Sequence, residues 1–169
     1  LFIALVSSSI ATLLGTMAGM AMQRYGLRVL TFMVLTPVAM PEILLGVSLL
    51  LFFIQVLNLT LGMISIILAH ITFSIGFVAV IVRARLAGMD DSIFEAARDL
   101  GATPWQTFRY VTFPLILPGV VAGWLMAFTL SIDDFVITFF TAGVGVSTLP
   151  LRIYSMIKLF WLREYPQSD

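Results

Sequence analysis

Apolar residues run through the chain in long stretches separated by short polar breaks. Residues 1–22 carry no charge, and 29–57 are apolar apart from polar positions that include Glu42 and Gln55. Residues 63–82 hold one ionisable side chain, His70, in the stretch before Arg83, and a further run over 115–140 is interrupted by Asp133 and Asp134. About 20 residues at about 1.5 Å each cross about 30 Å of hydrocarbon, so each run predicts a membrane span. The second exceeds one crossing, and Pro37 and Pro41 remove backbone donors, which predicts a bend near Glu42. Residues 83–114 form the hydrophilic segment and are expected outside the lipid. Beyond 140, Gly143 and Gly145 predict a turn and 150–160 a short amphipathic helix. The reading is one all-α domain over 1–169, a polytopic transmembrane helical bundle without internal repeats.

Composition agrees with lipid as the solvent. The chain is 60% apolar and 11% charged, against about one quarter charged in soluble domains. Its nine basic and nine acidic residues cancel, which leaves no electrostatic footprint for nucleic acid. The absence of cysteine excludes disulfides, thiolate metal sites and cysteine nucleophiles. Lys and Arg near span ends stay on the cytoplasmic side. Arg24 and Arg28 at the first turn, with Arg83, Arg85, Arg98 and Arg109 around the hydrophilic segment, place both regions in the cytoplasm. The chain opens in an apolar stretch with no initiator Met and no basic leader, which reads as a fragment and not as a signal peptide.

The hydrophilic segment predicts a helix pair. Ser92-Ile93-Phe94-Glu95 fits a capping box, and Gly101 suits the left-handed residue that ends a helix. Thr103-Pro104-Trp105-Gln106 repeats the signal with Pro at the first helical position. The second helix is expected to run toward Phe113, to stop at Pro114, and to give way at Pro118 to the last span. Ile93, Phe94, Ala97 and Leu100 share one face at helical spacing.

Glu95-Ala96-Ala97, then Gly101, then Leu115-Ile116-Leu117-Pro118 resemble the EAA loop of binding-protein-dependent ABC importer permeases. Ser131-Ile132-Asp133-Asp134-Phe135 and the stretch from Thr148 to Met156 are similar to the second permease subunit of spermidine/putrescine importers. The resemblance implies a multi-pass protein of the bacterial inner membrane that lacks the first and last of six spans, with 161–169 departing from the family pattern. It implies that Glu95, Ala96, Ala97, Gly101 and Pro118 belong to a coupling helix pair docked on an ATPase. It also implies the partners: two copies of a cytoplasmic ABC ATPase that holds ATP and Mg, a second permease subunit, a periplasmic binding protein and membrane lipid. No phosphate-binding Gly-rich loop with its Lys is present in this chain, so it is expected to bind no cofactor and to be no enzyme.

Ionisable groups at membrane depth are costly and mark functional candidates. Counted from Arg28 and from Pro118, Glu42 and Asp133 both lie roughly 20 Å from the cytoplasmic face. With Asp134 and Phe135 they form the candidate path for a polycation. Phe128, Phe139 and Phe140 are further candidates for cation–π contacts. Adjacent residues on a helix diverge by about 100°, so one aspartate at most is expected to face the path, with Asp133 preferred. His70 is expected to be a packing residue hydrogen-bonded to a neighbouring helix. Gly15 and Gly19 are expected to pack against a partner subunit, and Trp105 and Trp161 to anchor at interfaces. Rival readings are an ABC permease for iron, phosphonate, sulfate or a similar solute, and a proton-coupled carrier with Glu42, His70 and the aspartates as a relay.

Overall fold

The computed structural model describes residues 1–90, 92–143, 145–146 and 148–164. The Trp161 side chain and the tail over 165–169 lie outside the described residues.

The helices are α1 (Phe2–Tyr25), α2 (Arg28–Ala39), α3 (Glu42–Leu51), α4 (Met63–Ala87), α5 (Ser92–Asp99), α6 (Pro104–Thr107), α7 (Phe113–Asp133), α8 (Val136–Thr141) and α9 (Leu149–Glu164). Single π-turns over Phe52–Val56 and Phe108–Thr112 extend α3 and join α6 to α7. Among the described residues, Phe2–Tyr25, Met63–Ala87 and Pro104–Asp133 are long and apolar enough to cross a membrane, and the bent pair Arg28–Ala39 with Glu42–Val56 would make a fourth.

α4 is the central post, with α1, α2, α7 and α8 all packed on it. Close approach is set by small residues. A Cβ at Gly15 would lie 2.7 Å from Val78 Cβ, and one at Gly123 would lie 3.1 Å from Val78 Cγ1. The fully buried Val78 is therefore clasped between α1 and α7. A Cβ at Gly19 would come 2.7 Å from the Ala79 carbonyl oxygen. Gly15 and Gly19 thus serve contact within the chain, not with a partner subunit, because small side chains let two backbones close where lipid provides no hydrophobic drive. One buried cluster, Val78, Val82, Ile116 and Ala127, fills this three-helix junction, and a second joins Leu45, Leu49 and Phe53 to Ala69, Phe73 and Ile137.

The second span departs from a simple kink. α2 and α3 meet at 110°, so α3 turns across the bundle onto α8 instead of continuing the axis of α2. Pro37 sits inside α2 without breaking it. The break falls at Met40 and Pro41, both in extended conformation, because the ring of Pro41 drives the residue before it out of the helical region.

The last span also differs from expectation. The run over 115–140 is not one helix: α7 ends at Asp133, Asp134 is extended, and α8 restarts at Val136. Pro114, in contrast, does not stop the preceding helix. The stretch Pro104–Asp133 is continuous, since the π-turn over Phe108–Thr112 widens the turn whose carbonyl would otherwise meet the proline ring.

Candidate functional site

The hydrophilic hairpin is built by its caps. Thr103 Oγ1 accepts from Gln106 N–H at 3.3 Å, Gln106 Oε1 accepts from Thr103 N–H at 2.8 Å, and Pro104 opens α6. Gly101 takes φ 77°. With it, Ala102 N–H reaches the Ala97 carbonyl at 3.1 Å and Gly101 N–H the Arg98 carbonyl at 2.8 Å, a Schellman closure that satisfies carbonyls the helix end would leave unpaired. The start of α5 differs from the sequence reading. Ser92 is its first residue, and Asp90 Oδ1 accepts the Ser92 amide at 3.0 Å. That backbone bond, with the Ser92 hydroxyl second, holds the Asp90 carboxyl below its ordinary range. A short acidic acceptor two residues before the helix serves the orphan amide as well as a serine cap would.

Of the coupling candidates, Ala97 is buried toward the rest of the hairpin, while Glu95, Ala96 and Gly101 are exposed. Leu100 does not share the packed face: it is 88% exposed, and Trp105 and Tyr110 are exposed beside it in the sequence of the hairpin at 69% and 76%. Pro118 stands apart, inside α7. Near it the stem of Arg85 lies against Gly119, where a Cβ would be 3.1 Å from Arg85 Cβ, and Arg85 Nε donates to the Leu115 carbonyl at 3.2 Å. The end of α4 that leads into the hairpin is thereby fastened to the start of α7, which leads out of it.

The intramembrane candidates meet at one place. A cavity of about 200 Å³ is lined by Glu42, Phe73, Leu130, Asp133, Asp134, Phe135 and Val136. The α2–α3 break supplies Glu42, the α7–α8 break supplies both aspartates and Phe135, and α4 supplies Phe73. Two helix interruptions at one depth thus bring three carboxylates around one small space. The aromatic contribution is narrower than expected. Phe128 stacks on Trp124 with ring centroids 5.3 Å apart, away from the cavity, and Phe140 packs against Gly46 of α3. Phe135 lines the cavity and lies 5.1 Å from Tyr154 and 5.8 Å from Phe139, ring to ring. Phe73, Leu130 and Val136, which hydropathy alone marks only as apolar span residues, are the walls that the sequence did not single out.

The two aspartates differ in their commitments. Asp134 caps α8, its Oδ1 accepting from Ile137 N–H at 3.3 Å and its Oδ2 from the Thr138 amide and hydroxyl, each at 2.7 Å. Asp133 is exposed and, among the described residues, makes no hydrogen bond or ion pair. His70, 2% exposed, bonds through Nδ1 to Ser131 Oγ at 2.6 Å and through Nε2 to Thr138 Oγ1 at 2.9 Å, with Asp134 Oδ2 3.3 Å away. Ser131 Oγ continues to Ser7 Oγ at 3.1 Å. The order Ser131, His70, Asp134 is that of a hydrolytic relay. Ser131 nevertheless lies buried between helices, outside the cavity lining, so its oxygen has no room to attack a substrate.

A larger cleft of about 720 Å³ lies among α1, α2 and α4, lined by Met22, Arg28, Phe32, Thr36, Met40 and Arg83 among others. No sequence-derived site residue falls on it.

A bundle of helices long and apolar enough to cross a membrane, with an acidic cavity where two of them break and a capped hairpin beyond them, is the architecture of a polytopic membrane protein. Residues 11–162 match the family of binding-protein-dependent transport system inner membrane components, and the chain belongs to that family. It is 42% identical over 168 residues to the putrescine transport system permease protein PotI of Escherichia coli K12, covering 94% of this chain and 60% of that protein. It is 41% identical over 159 residues to the spermidine/putrescine transport system permease protein PotC of Haemophilus influenzae, covering 92% of this chain and 62% of that protein. The chain spans about three fifths of the length of these relatives. A chain of the MetNI methionine ABC transporter in an inward-facing conformation superposes with a TM-score of 0.68 at 19% identity, over 96% of this chain and 86% of that one, a likeness of fold alone.

Proposed function

We propose that this chain is the helical core of a permease subunit that passes polyamines through the bacterial inner membrane in an ATP-driven importer. The observation that carries the cargo is the small cavity in which Glu42 and the uncommitted Asp133 stand beside Phe73 and Phe135. An extended polycation sheds water on entering the membrane, and carboxylates and aromatic faces replace that water. The names of the relatives point to the same cargo.

Two copies of a cytoplasmic ATPase bind ATP and Mg, and a second permease subunit and a periplasmic binding protein complete the assembly. The hairpin gives the ATPase its contact. Its exposed Glu95, Ala96 and Leu100 form the docking surface, the buried Ala97 and left-handed Gly101 hold the shape, and α7 with Pro118 carries the motion to the cavity. ATP-driven closure then rocks the α7–α8 break relative to the α2–α3 break and opens the cavity to one side at a time.

The test is uptake by the full-length protein with its partners in cells stripped of other polyamine importers. Labelled putrescine should accumulate, excess spermidine should compete and sulfate should not, and inactivating the ATPase should abolish uptake. Uptake that persists without the ATPase would mark a proton-coupled carrier instead, and competition by sulfate would mark a different cargo.

A further inference from the structure

His70 stands outside the cavity yet touches the chain on both sides of Asp133. Its Nδ1 meets Ser131 at 2.6 Å, two residues before, and its Nε2 faces Thr138 at 2.9 Å and the Asp134 carboxylate at 3.3 Å, immediately after. The hydroxyl of Thr138 donates to Asp134, so the Thr138 oxygen is left to accept from His70, which assigns a proton to Nε2. Nδ1 is paired with the Ser131 hydroxyl, whose oxygen also lies 3.1 Å from Ser7 Oγ on α1. One ring with every polar atom engaged thus ties α1, α4, α7 and α8 together at the helix break.

A break at membrane depth is tolerated only where its freed backbone groups find partners. Asp134 supplies them to α8, and in doing so is used up: the Ile137 and Thr138 amides, the Thr138 hydroxyl and His70 surround it. Of the two aspartates, Asp133 keeps its carboxylate free among the described residues, and where that carboxylate points follows from how the break is held.

We infer that His70 is the positioning residue of the acidic cavity, a side chain that meets no cargo but fixes Asp133 beside Glu42 by pinning Asp134 and Thr138 to α4 through Nε2. The inference rests on the reading of that cavity as the polyamine path. It goes beyond packing, because only the nitrogen facing Asp134 and Thr138 is essential to it. Gln at position 70 carries an amide nitrogen near the place of Nε2, Asn carries one near the place of Nδ1, and Leu carries neither.

The experiment measures putrescine transported per ATP hydrolysed in the full-length complex, reconstituted with its binding protein. His70→Leu should lower that ratio about tenfold while ATP hydrolysis stimulated by the binding protein survives, His70→Asn should stay low, and His70→Gln should recover to within about threefold of wild type. Loss of transport and hydrolysis in equal proportion, or equal behaviour of the Gln and Asn variants, overturns the inference. Should His70→Leu fail to assemble, Thr138→Val removes one partner of the same nitrogen, and an unchanged ratio there overturns it as well. Asp133→Asn is the control: an unchanged ratio in that variant defeats the cation path and this inference together. A lowered ratio in Asp133→Asn beside wild-type ratios at position 70 defeats the inference alone.

Discussion

Asp134 Oδ2 lies 2.7 Å from the Thr138 amide nitrogen and 2.7 Å from its hydroxyl, so one carboxylate oxygen starts α8 and closes the side-chain network behind it. Asp134→Ala should destabilise the complex by about 2 kcal/mol, through the lost cap and the stranded His70 and Thr138 donors. Asp134→Asn keeps an acceptor for the cap and should cost about half as much. Thermal unfolding in detergent, followed by aromatic fluorescence, compares the two; equal stability of the Ala variant and wild type would deny the cap its role.

Gly101 and Glu95 separate shape from surface in the hairpin. Gly101 sits at φ 77°, which a proline ring fixed near −65° does not reach, and alanine there should cost about 1–2 kcal/mol locally. Glu95 is exposed, so Glu95→Lys should leave the fold intact and change only what the surface meets. Both Gly101→Pro and Glu95→Lys should uncouple transport from ATP hydrolysis. Normal ATPase association and uptake in both would remove the docking role.

The α1–α4 contact has little room. Valine at Gly15 or Gly19 would drive atoms against Val78 or the Ala79 carbonyl, with an expected destabilisation of about 1–3 kcal/mol each. Gly62 is a fair control, since a Cβ there meets nothing within 4 Å. Melting of Gly15→Val, Gly19→Val and Gly62→Ala side by side should show losses only in the first pair, and a stable Gly15→Val would loosen the packing account.

Asp90 predicts a pH dependence outside the membrane. Its carboxyl is held below the ordinary value of 3.8 by the Ser92 amide and then by the Ser92 hydroxyl. A depressed folded value stabilises the charged state, so the support it gives α5 is complete above the unfolded value and fades as pH falls through the folded one. Amide exchange over residues 92–94, corrected for its intrinsic pH dependence, should be flat from pH 7 to pH 5 and rise only below about pH 4. Protection lost already between pH 7 and pH 5 would contradict it.

The apolar runs, the hairpin turn at Gly101 and the Thr103 cap were legible because each depends on a local rule of length, conformation or hydrogen bonding. Glu42 and Asp133 could be matched in depth by counting residues, but their meeting depends on two breaks. One was visible in Pro41. The other, at Asp134, has no proline or glycine beside it and is held by His70, sixty-four positions earlier in the chain. Hydropathy therefore reads through it as one continuous span. The π-turn before Pro114 is likewise silent in sequence, since it follows from relief of a steric clash and not from residue type. Gly15 and Gly19 announced a close contact correctly but not with which helix, because small residues specify distance and not partner.

The most direct measurement is putrescine uptake by the reconstituted full-length complex carrying Glu42→Gln with Asp133→Asn, which removes both free charges of the cavity and leaves the Asp134 network whole. Uptake per ATP hydrolysed should fall by about tenfold or more, with assembly and hydrolysis retained. Uptake kinetics equal to those of the wild type would contradict a cation path through this cavity.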